Sequence, residues 1–290
     1  MTITAIILNY KNYKDVCVCI QSLEKQILPD GHTLNILVID NNSEDDSTIK
    51  LQETFPKHRY IFNTQNLGFA KGVNQGFGLC PNSDYFLLVN NDAELSPDCL
   101  NLLIEIGKNE SLVGPAIFYK TEPDKIWQGG GFFSKLKMGV SVPDKNLGLK
   151  PRASQRVDFL SGCILLIPKN VIGSIGNFDE KFFFYGEDLD FCLRAKKAGI
   201  PVIYCSEAKA WHNIKPIARS RTGKFVLQNL AFSYQLIIKK HYRTLRIYGL
   251  FLFIFIYTPF RFYQIISGGN NWKNIGNWFK GGIKGWQTKI

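Results

Sequence analysis

The chain opens on an unbroken apolar run, ITAIILNY (3–10), rich in β-branched residues, the pattern of a strand buried on both faces. The period then changes. Val16, Ile20, Leu23 and Ile27 recur at spacings of four and three, which predicts a helix that PDGH breaks. LNILVID (34–40) is a second buried strand, after which Ser43 with Asp46 three residues on has the form of a capping box. YIFN, the loop TQNLGFAKG, a short helix and DYFLLVN (84–90) extend the alternation. Strand and helix alternating through short turns predict an α/β fold with a mostly parallel sheet and flanking helices.

In such sheets a ligand lies beyond the carboxyl ends of the strands. Polar clusters stand there: Asn9 and Tyr10 after the first strand, Asp40 to Ser43 after the second, and Asn90, Asn91 and Asp92 after a later one. One such cluster is ordinary turn punctuation; three on one edge predict a site. Further on, GGGFFSKLKMGVSVPDKNLGLKPR (129–152) reads as a mobile loop and VDFLSGCILLIPK (157–169) as strand. A helix then opens at or near Glu187 and stops at Gly199. Glu187, Asp188 and Asp190 crowd its first turn, where the helix dipole alone would favour them.

Charge divides the chain. From Asn213 to Ile290 there are eight Lys, five Arg and no acid, whereas residues 1–212 carry 22 basic and 24 acidic residues, so +13 faces −2. A block of that kind is built to meet an anionic surface, lipid or nucleic acid. Within it, fourteen mostly apolar residues lie between Arg246 and Arg261, short of the roughly 20 a spanning helix needs. Tyr248, Tyr257, Pro259, Trp272, Trp278 and Trp286 point instead to a segment in the lipid headgroup region, or to a helix packed on the rest of the protein. The aromatics keep company with aliphatic residues and do not alternate with cations as a platform for bases would, which weighs against nucleic acid. Seven cysteines without a CxxC pair predict reduced core residues in a cytosolic protein. No basic leader with a cleavage site precedes the first strand, and His32, His58 and His241 read as surface residues.

AIILNYKN, VIDNNSEDDS, NLGFAKGVNQG, LLVNNDAEL, FLSGCILLIPK, GNFDEKFFFYGEDLDFCLRAKKAG and the closing WH stand in the order and spacing of one family. Over residues 3 to about 212 the chain resembles the inverting family 2 glycosyltransferases of GT-A fold, and their rhamnosyltransferase-like branch in particular. The resemblance implies a catalytic domain over 1–212, with a nucleotide-sugar half at about 1–95 and an acceptor half at about 96–212. Residues 213–290 are then a basic, aromatic-rich helical extension that associates with membrane. It implies Asp92 as ligand to Mg²⁺ or Mn²⁺, with His212 a further metal contact, although Asn90 replaces the usual first acid and Lys215 and Pro216 depart from the family's small loop after the histidine. Asp40 matches the base-reading aspartate. Asn9, Tyr10, Asn42, Asn66, Gly68, Asn74, Asn90, Asn91 and Trp211 match donor or substrate positions. Asp188 matches the general base, Glu187 an acceptor-orienting residue and Asp190 a helix-start residue behind them.

The implied reaction moves a sugar from dTDP-rhamnose or a UDP-sugar to a glycan or polyprenyl-diphosphate-linked acceptor in bacterial surface polysaccharide synthesis. The implied place is the inner face of the cell membrane, peripherally attached, with oligomeric state open. A nucleotidyltransferase would want a glycine-rich phosphate loop after the first strand, and NYKNYKD has no glycine. An inactive relative serving as a partner subunit is disfavoured by Asp40, Asp92 and Asp188.

Overall fold

The computed structural model describes residues 1–143, 153–214, 223–267 and 274–290. Part of the 129–152 loop, together with Lys215, Pro216 and Trp272, lies outside the described residues. The elements run β1 (Thr2–Asn9), α1 (Tyr13–Glu24), β2 (Thr33–Asp40), α2 (Ser47–Thr54), β3 (Arg59–Phe62), α3 (Gly68–Leu79), β4 (Tyr85–Asn90), β5 (Ala93–Leu95), α4 (Cys99–Gly107) and β6 (Leu112–Tyr119). There follow β7 (Glu122–Gln128), β8 (Phe132–Ser134), β9 (Gly139–Ser141), β10 (Gln155–Arg156), β11 (Ile164–Pro168), α5 (Lys169–Ile175), α6 (Glu187–Lys197) and β12 (Val202–His212). Among the described residues, three helices close the chain: α7 (Lys224–His241), α8 (Arg243–Ser267, with a π-helical middle at Phe253–Tyr257) and α9 (Ile275–Gln287).

The main sheet runs β10-β12-β6-β11-β4-β1-β2-β3, with β5 beside β12 and β7 beside β6. Strands β3, β2, β1 and β4 are parallel, and β11 lies antiparallel to β4. The buried sequence runs explain this placement, since β1, β2 and β4 carry apolar side chains on both faces and each face is covered. Ile3, Ala5 and Ile7 belong to one core cluster with Val16 and Ile20 of α1. Ile6, Leu37 and Leu88 belong to the other with Val73 and Phe77 of α3 and Phe191 of α6.

Several expectations change. Ile27 lies past the end of α1 and is exposed, because the helix stops at Glu24. Ser43 caps nothing: α2 starts at Ser47, and the Ser43 hydroxyl is taken by Asp40 and by the Lys11 N–H. The glycine- and lysine-rich loop contains the β8–β9 hairpin, and of residues 157–169 the strand occupies Ile164–Pro168 alone within β11. All seven cysteines are free, five of them buried.

The apolar run between Arg246 and Arg261 sits inside a 25-residue helix, α8, whose length and mean hydropathy of 1.5 suffice to cross a membrane, contrary to the count made on the run alone. It nevertheless lies along the protein. Phe253 stacks on Trp278 at 4.9 Å, the Tyr248 hydroxyl donates to the Leu136 carbonyl at 2.6 Å and that of Tyr257 to the Lys137 carbonyl. Its outer face carries Ile247, Phe251, Phe255, Phe262 and Ile266, all exposed.

α9 packs against α7 backbone to backbone. A Cβ on Gly281 would fall 2.0 Å from the Gln228 carbonyl oxygen, and one on Gly285 2.4 Å from that of Phe232. These two positions, one turn apart, therefore exclude any side chain. Gly281→Ala is expected to destabilise the protein by about 1–3 kcal/mol and to speed amide exchange in α9 and the facing turns of α7 while β1, β2 and β4 stay protected. Unchanged exchange in α9 would refute the close packing.

Candidate active site

Register places the polar strand ends together. Asn9 pairs with Asp40, Leu8 with Asn90, and Asp40 with Phe62, so β1, β2, β3 and β4 finish at one edge. Two more pieces join it. The Asn90 N–H donates to the Cys163 carbonyl at 2.8 Å, bringing the turn before β11 to the same edge, and β12 ends beside β5 with His212 opposite Ala93.

Asp40 is buried and already engaged. One carboxylate oxygen accepts from the hydroxyls of Thr48, at 2.9 Å, and Ser43; the other accepts the Ser43 N–H at 3.0 Å. Asn9, fully buried, donates to Thr48 at 2.8 Å and accepts from Asn91 at 3.1 Å. Its amide thus braces the edge, and it is the Tyr10 ring, 47% exposed, that faces solvent beside it. Lys11, Asn42 and Glu44 all have positive φ, of 53°, 64° and 54°, and Asn42 donates to Glu44 at 3.3 Å. Left-handed backbone outside glycine costs energy and concentrates where the surroundings impose it.

The loop before α3 is fastened by a residue that the motif reading passed over. Asn41 donates to Asn66 at 2.9 Å and to the Gly68 carbonyl at 3.2 Å, and it accepts the Leu67 N–H at 2.9 Å. Its signal in the sequence was no more than its place between Asp40 and Asn42. Asn66 also accepts the Gly68 N–H at 2.9 Å. Gly68 has φ 77°, and a Cβ there would lie 2.5 Å from the Phe183 carbonyl oxygen, which itself accepts the Phe69 N–H at 2.8 Å. The segment leading into α6 therefore rests on the start of α3. Asn74 holds the same segment, giving a hydrogen bond to the Phe178 carbonyl at 2.9 Å and taking one from the Phe178 N–H at 3.0 Å. Its amide is occupied with backbone.

Asp92 and His212 meet. The imidazole Nε2 donates to Asp92 Oδ1 at 2.9 Å, while buried Nδ1 has no hydrogen-bond partner among the described residues and Trp127 packs edge-on at 4.4 Å. Two adjacent ligands in an octahedral shell of about 2.1 Å bonds would stand about 3 Å apart, so this spacing fits a shared cation as well as a hydrogen bond. No group of three or more His, Cys, Asp or Glu arranged for a metal occurs among the described residues. The pair could supply part of a coordination shell, with phosphate oxygens supplying more. Trp211, one residue earlier in β12, points to the opposite face and packs near Phe118 with ring centroids 6.5 Å apart.

At the start of α6 the neighbouring acids differ. Asp188 is half-buried, and its carboxylate accepts the N–H of Gly162 at 3.2 Å and of Leu189 at 2.8 Å. Glu187 is 6% exposed with one carboxyl oxygen unpartnered among the described residues, and burial, reinforced by the Asp188 charge, holds its pKa well above the ordinary range. Asp190 is fully buried and binds Arg194 at 2.9 Å, Lys240 at 2.7 Å and His241 at 2.8 Å. Burial pushes its pKa up, but bonds from His241 and Lys240 and the charges of Lys240 and Arg194 outweigh that and bring it down to about 2. His241 is thus part of a buried cluster, not a surface residue, and nothing in its local sequence announced it.

This architecture is the GT-A glycosyltransferase fold. A crystal structure of GalNAc-T7 with UDP, GalNAc and Mn²⁺ superposes with a TM-score of 0.66 at 15% identity, covering 82% of this chain and 48% of that one. The S. aureus TarS structure gives 0.57 at 13% identity, over 99% of this chain and 54% of that one. The chain belongs to glycosyl transferase family 2, whose sequence profile matches residues 4–176. It is similar to the low-salt glycan biosynthesis hexosyltransferase Agl10 of Haloferax volcanii, 27% identical over 76% of this chain and 69% of that protein. It is also similar to the N-acetylglucosaminyl-diphospho-decaprenol L-rhamnosyltransferase of Mycobacterium tuberculosis, 24% identical over 62% of this chain and 66% of that protein. The chain spans about half the length of the two solved structures and about two thirds of these two relatives.

Proposed function

We propose that the protein is an inverting glycosyltransferase moving a hexosyl group from dTDP-rhamnose or a UDP-sugar to a lipid-linked glycan. The observation that carries this is a short chain of bonds. Asp188 takes the Gly162 N–H, the next residue's carbonyl takes the Asn90 N–H, and Asp92 follows two residues later, so a half-buried carboxylate and the Asp92–His212 pair share one strand edge. The Mycobacterium relative's name describes rhamnosyl transfer to a decaprenol-linked sugar, and this motivates the donor and acceptor classes proposed here.

The donor lies across the ends of β1, β2 and β4. Asp40 accepts three hydrogen bonds, and an ionised carboxylate has about four acceptor positions, so one remains for the N3–H of uracil or thymine beside the open Tyr10 ring. Asp92 and His212 would hold Mg²⁺ or Mn²⁺, whose charge stabilises the departing diphosphate. Asn42, Asn66, Gly68, Asn90 and Asn91 shape the wall along which the donor lies. Asp188 takes the proton of the acceptor hydroxyl as its oxygen bonds to the anomeric carbon and the bond to the diphosphate breaks, with inversion. Glu187 orients the acceptor, and Asp188, half-buried and held by the N–H groups of Gly162 and Leu189, takes the base role.

Asp188→Asn is expected to lower turnover by about 10²–10⁴-fold with donor affinity unchanged, and Glu187→Gln to raise the acceptor KM more than it lowers kcat. A fully active Asp188→Asn enzyme beside an inactive Glu187→Gln enzyme would transfer the base to Glu187. Asp92→Asn is expected to abolish the Mn²⁺-dependent part of UDP or dTDP binding in calorimetry while the melting temperature stays near the parent's. Equal nucleotide affinity with and without the substitution would remove Asp92 from the cation site.

The extension seats the enzyme on the inner face of the cell membrane. The exposed stripe of α8, with Phe279 and Ile283 of α9 also exposed, enters the headgroup region, and the cations around it meet anionic lipid. An in-plane seating keeps the contacts of Phe253, Tyr248 and Tyr257, which a spanning helix would have to give up. Phe251→Asp with Phe255→Asp is expected to release the protein from vesicles containing phosphatidylglycerol. High salt should do so in part, since each cation near such a surface contributes about 1 kcal/mol that screening reduces. Undiminished vesicle binding by the double variant would refute this seating, and tight DNA binding at physiological salt would favour a nucleic-acid role.

A further inference from the structure

The segment from Phe178 to Asp190 carries Glu187 and Asp188 and is gripped from two sides. On one side stand the nucleotide half, through Asn74 to Phe178 and Phe69 to Phe183, and the turn before β11, through Gly162 to Asp188. On the other stands α7 of the extension. The Ser233 hydroxyl donates to the Tyr185 carbonyl, and Phe182 and Leu193 share a cluster with Phe232, Leu236 and Ile237. The last turn of α7 adds charge. Lys240 bridges Asp190 at 2.7 Å and Asp179 at 2.6 Å, and His241 donates to Asp190 at 2.8 Å. Arg194 completes the cluster, binding Asp190 at 2.9 Å and the carbonyls of Ile175 and Asn177 at 2.5 and 2.8 Å.

Two carboxylates and two permanent cations thus balance in a buried space that joins both ends of the segment to the extension. Such a cluster gives little net stability compared with an apolar contact, but losing one partner strands a charge. Hydrogen bonds to fixed carboxylates also have defined directions, which apolar packing lacks. Asp190 sits within the first turn of α6, its N–H donating to the Gly186 carbonyl at 2.9 Å, so its anchorage sets where that turn lies.

We propose that Lys240 and His241 are positioning residues for the transfer reaction: through Asp190 and Asp179 they fix the first turn of α6, and with it Glu187 and Asp188, against the donor site. The extension is then a working part of the active site, independent of any lipid. This rests on the catalytic reading of Asp188 given above. Misplacement by about 1 Å at a reacting centre can cost a hundredfold in rate, whereas donor binding uses β1, β2 and β4, which these residues do not touch.

The test uses the full-length protein without vesicles, measuring release of dTDP from dTDP-rhamnose and of UDP from UDP-N-acetylglucosamine to water with Mn²⁺. Calorimetric stoichiometry of dTDP and UDP binding counts the folded molecules. Lys240→Met with His241→Leu is expected to lower kcat per binding-competent molecule by about tenfold to a hundredfold, with donor KM within about twofold of the parent. Lys240→Arg, which keeps the charge and reach, should recover most of the rate. Amide exchange should rise in residues 178–190 while β1 and β2 stay protected. Unchanged kcat per competent molecule in Lys240→Met with His241→Leu, with activity lost solely through fewer folded molecules, would overturn the proposal. Asp188→Asn in the same assay separates the two readings: if it keeps the parent rate, the catalytic assignment falls, and if it is inactive while the α7 variant keeps the parent rate, the positioning role alone falls.

Discussion

The in-register pairing of β1 with β2 on one side and β4 on the other is the constraint on which everything else hangs. With Asn9 opposite Asp40 and Leu8 opposite Asn90, the three strands must end together. A slip of one residue would turn every buried side chain of β1 to the wrong face, so the apolar runs that build the core also fix where the polar residues emerge. Core packing and site geometry are here one requirement. The antiparallel β11 extends it, since its pairing with β4 delivers the turn that meets Asp188.

What could be read from the chain follows from range. The alternation of strands and helices in the first ninety residues and the opening of α6 at Glu187 are local patterns, and both stand where the sequence places them. Ser43 was misread because a serine three residues before an acid fits a capping box, whereas Asp40 and the Lys11 amide compete for its hydroxyl across space. Ile27 kept the helical period beyond the helix because periodicity does not record where backbone bonding stops. The Asn41 clamp, the occupied amide of Asn74 and the His241–Asp190 bond span 25 to 104 positions in the chain and leave no local trace.

The acid pair at the head of α6 shows how neighbours in sequence come to differ chemically. A single turn of helix sends Glu187 into the interior, where burial raises its pKa, and leaves Asp188 half-buried with two backbone N–H donors. Composition and spacing treat the two alike; burial separates them. The same physics acts in reverse at Asp190, where full burial is overcome by three basic partners.

The split of +13 on residues 213–290 against −2 on the remainder makes the molecule an electric dipole. A charged surface exerts a torque on such a body as well as a pull. Near an anionic plane the extension turns toward it before any atom touches, and because screening confines the field to about 8 Å at physiological salt, the turning happens within the last few layers of water. On the membrane seating proposed above, molecules arriving in any orientation would land in one, and the edge that holds Asp92 and Asp188 would meet each encounter at a fixed angle to the surface.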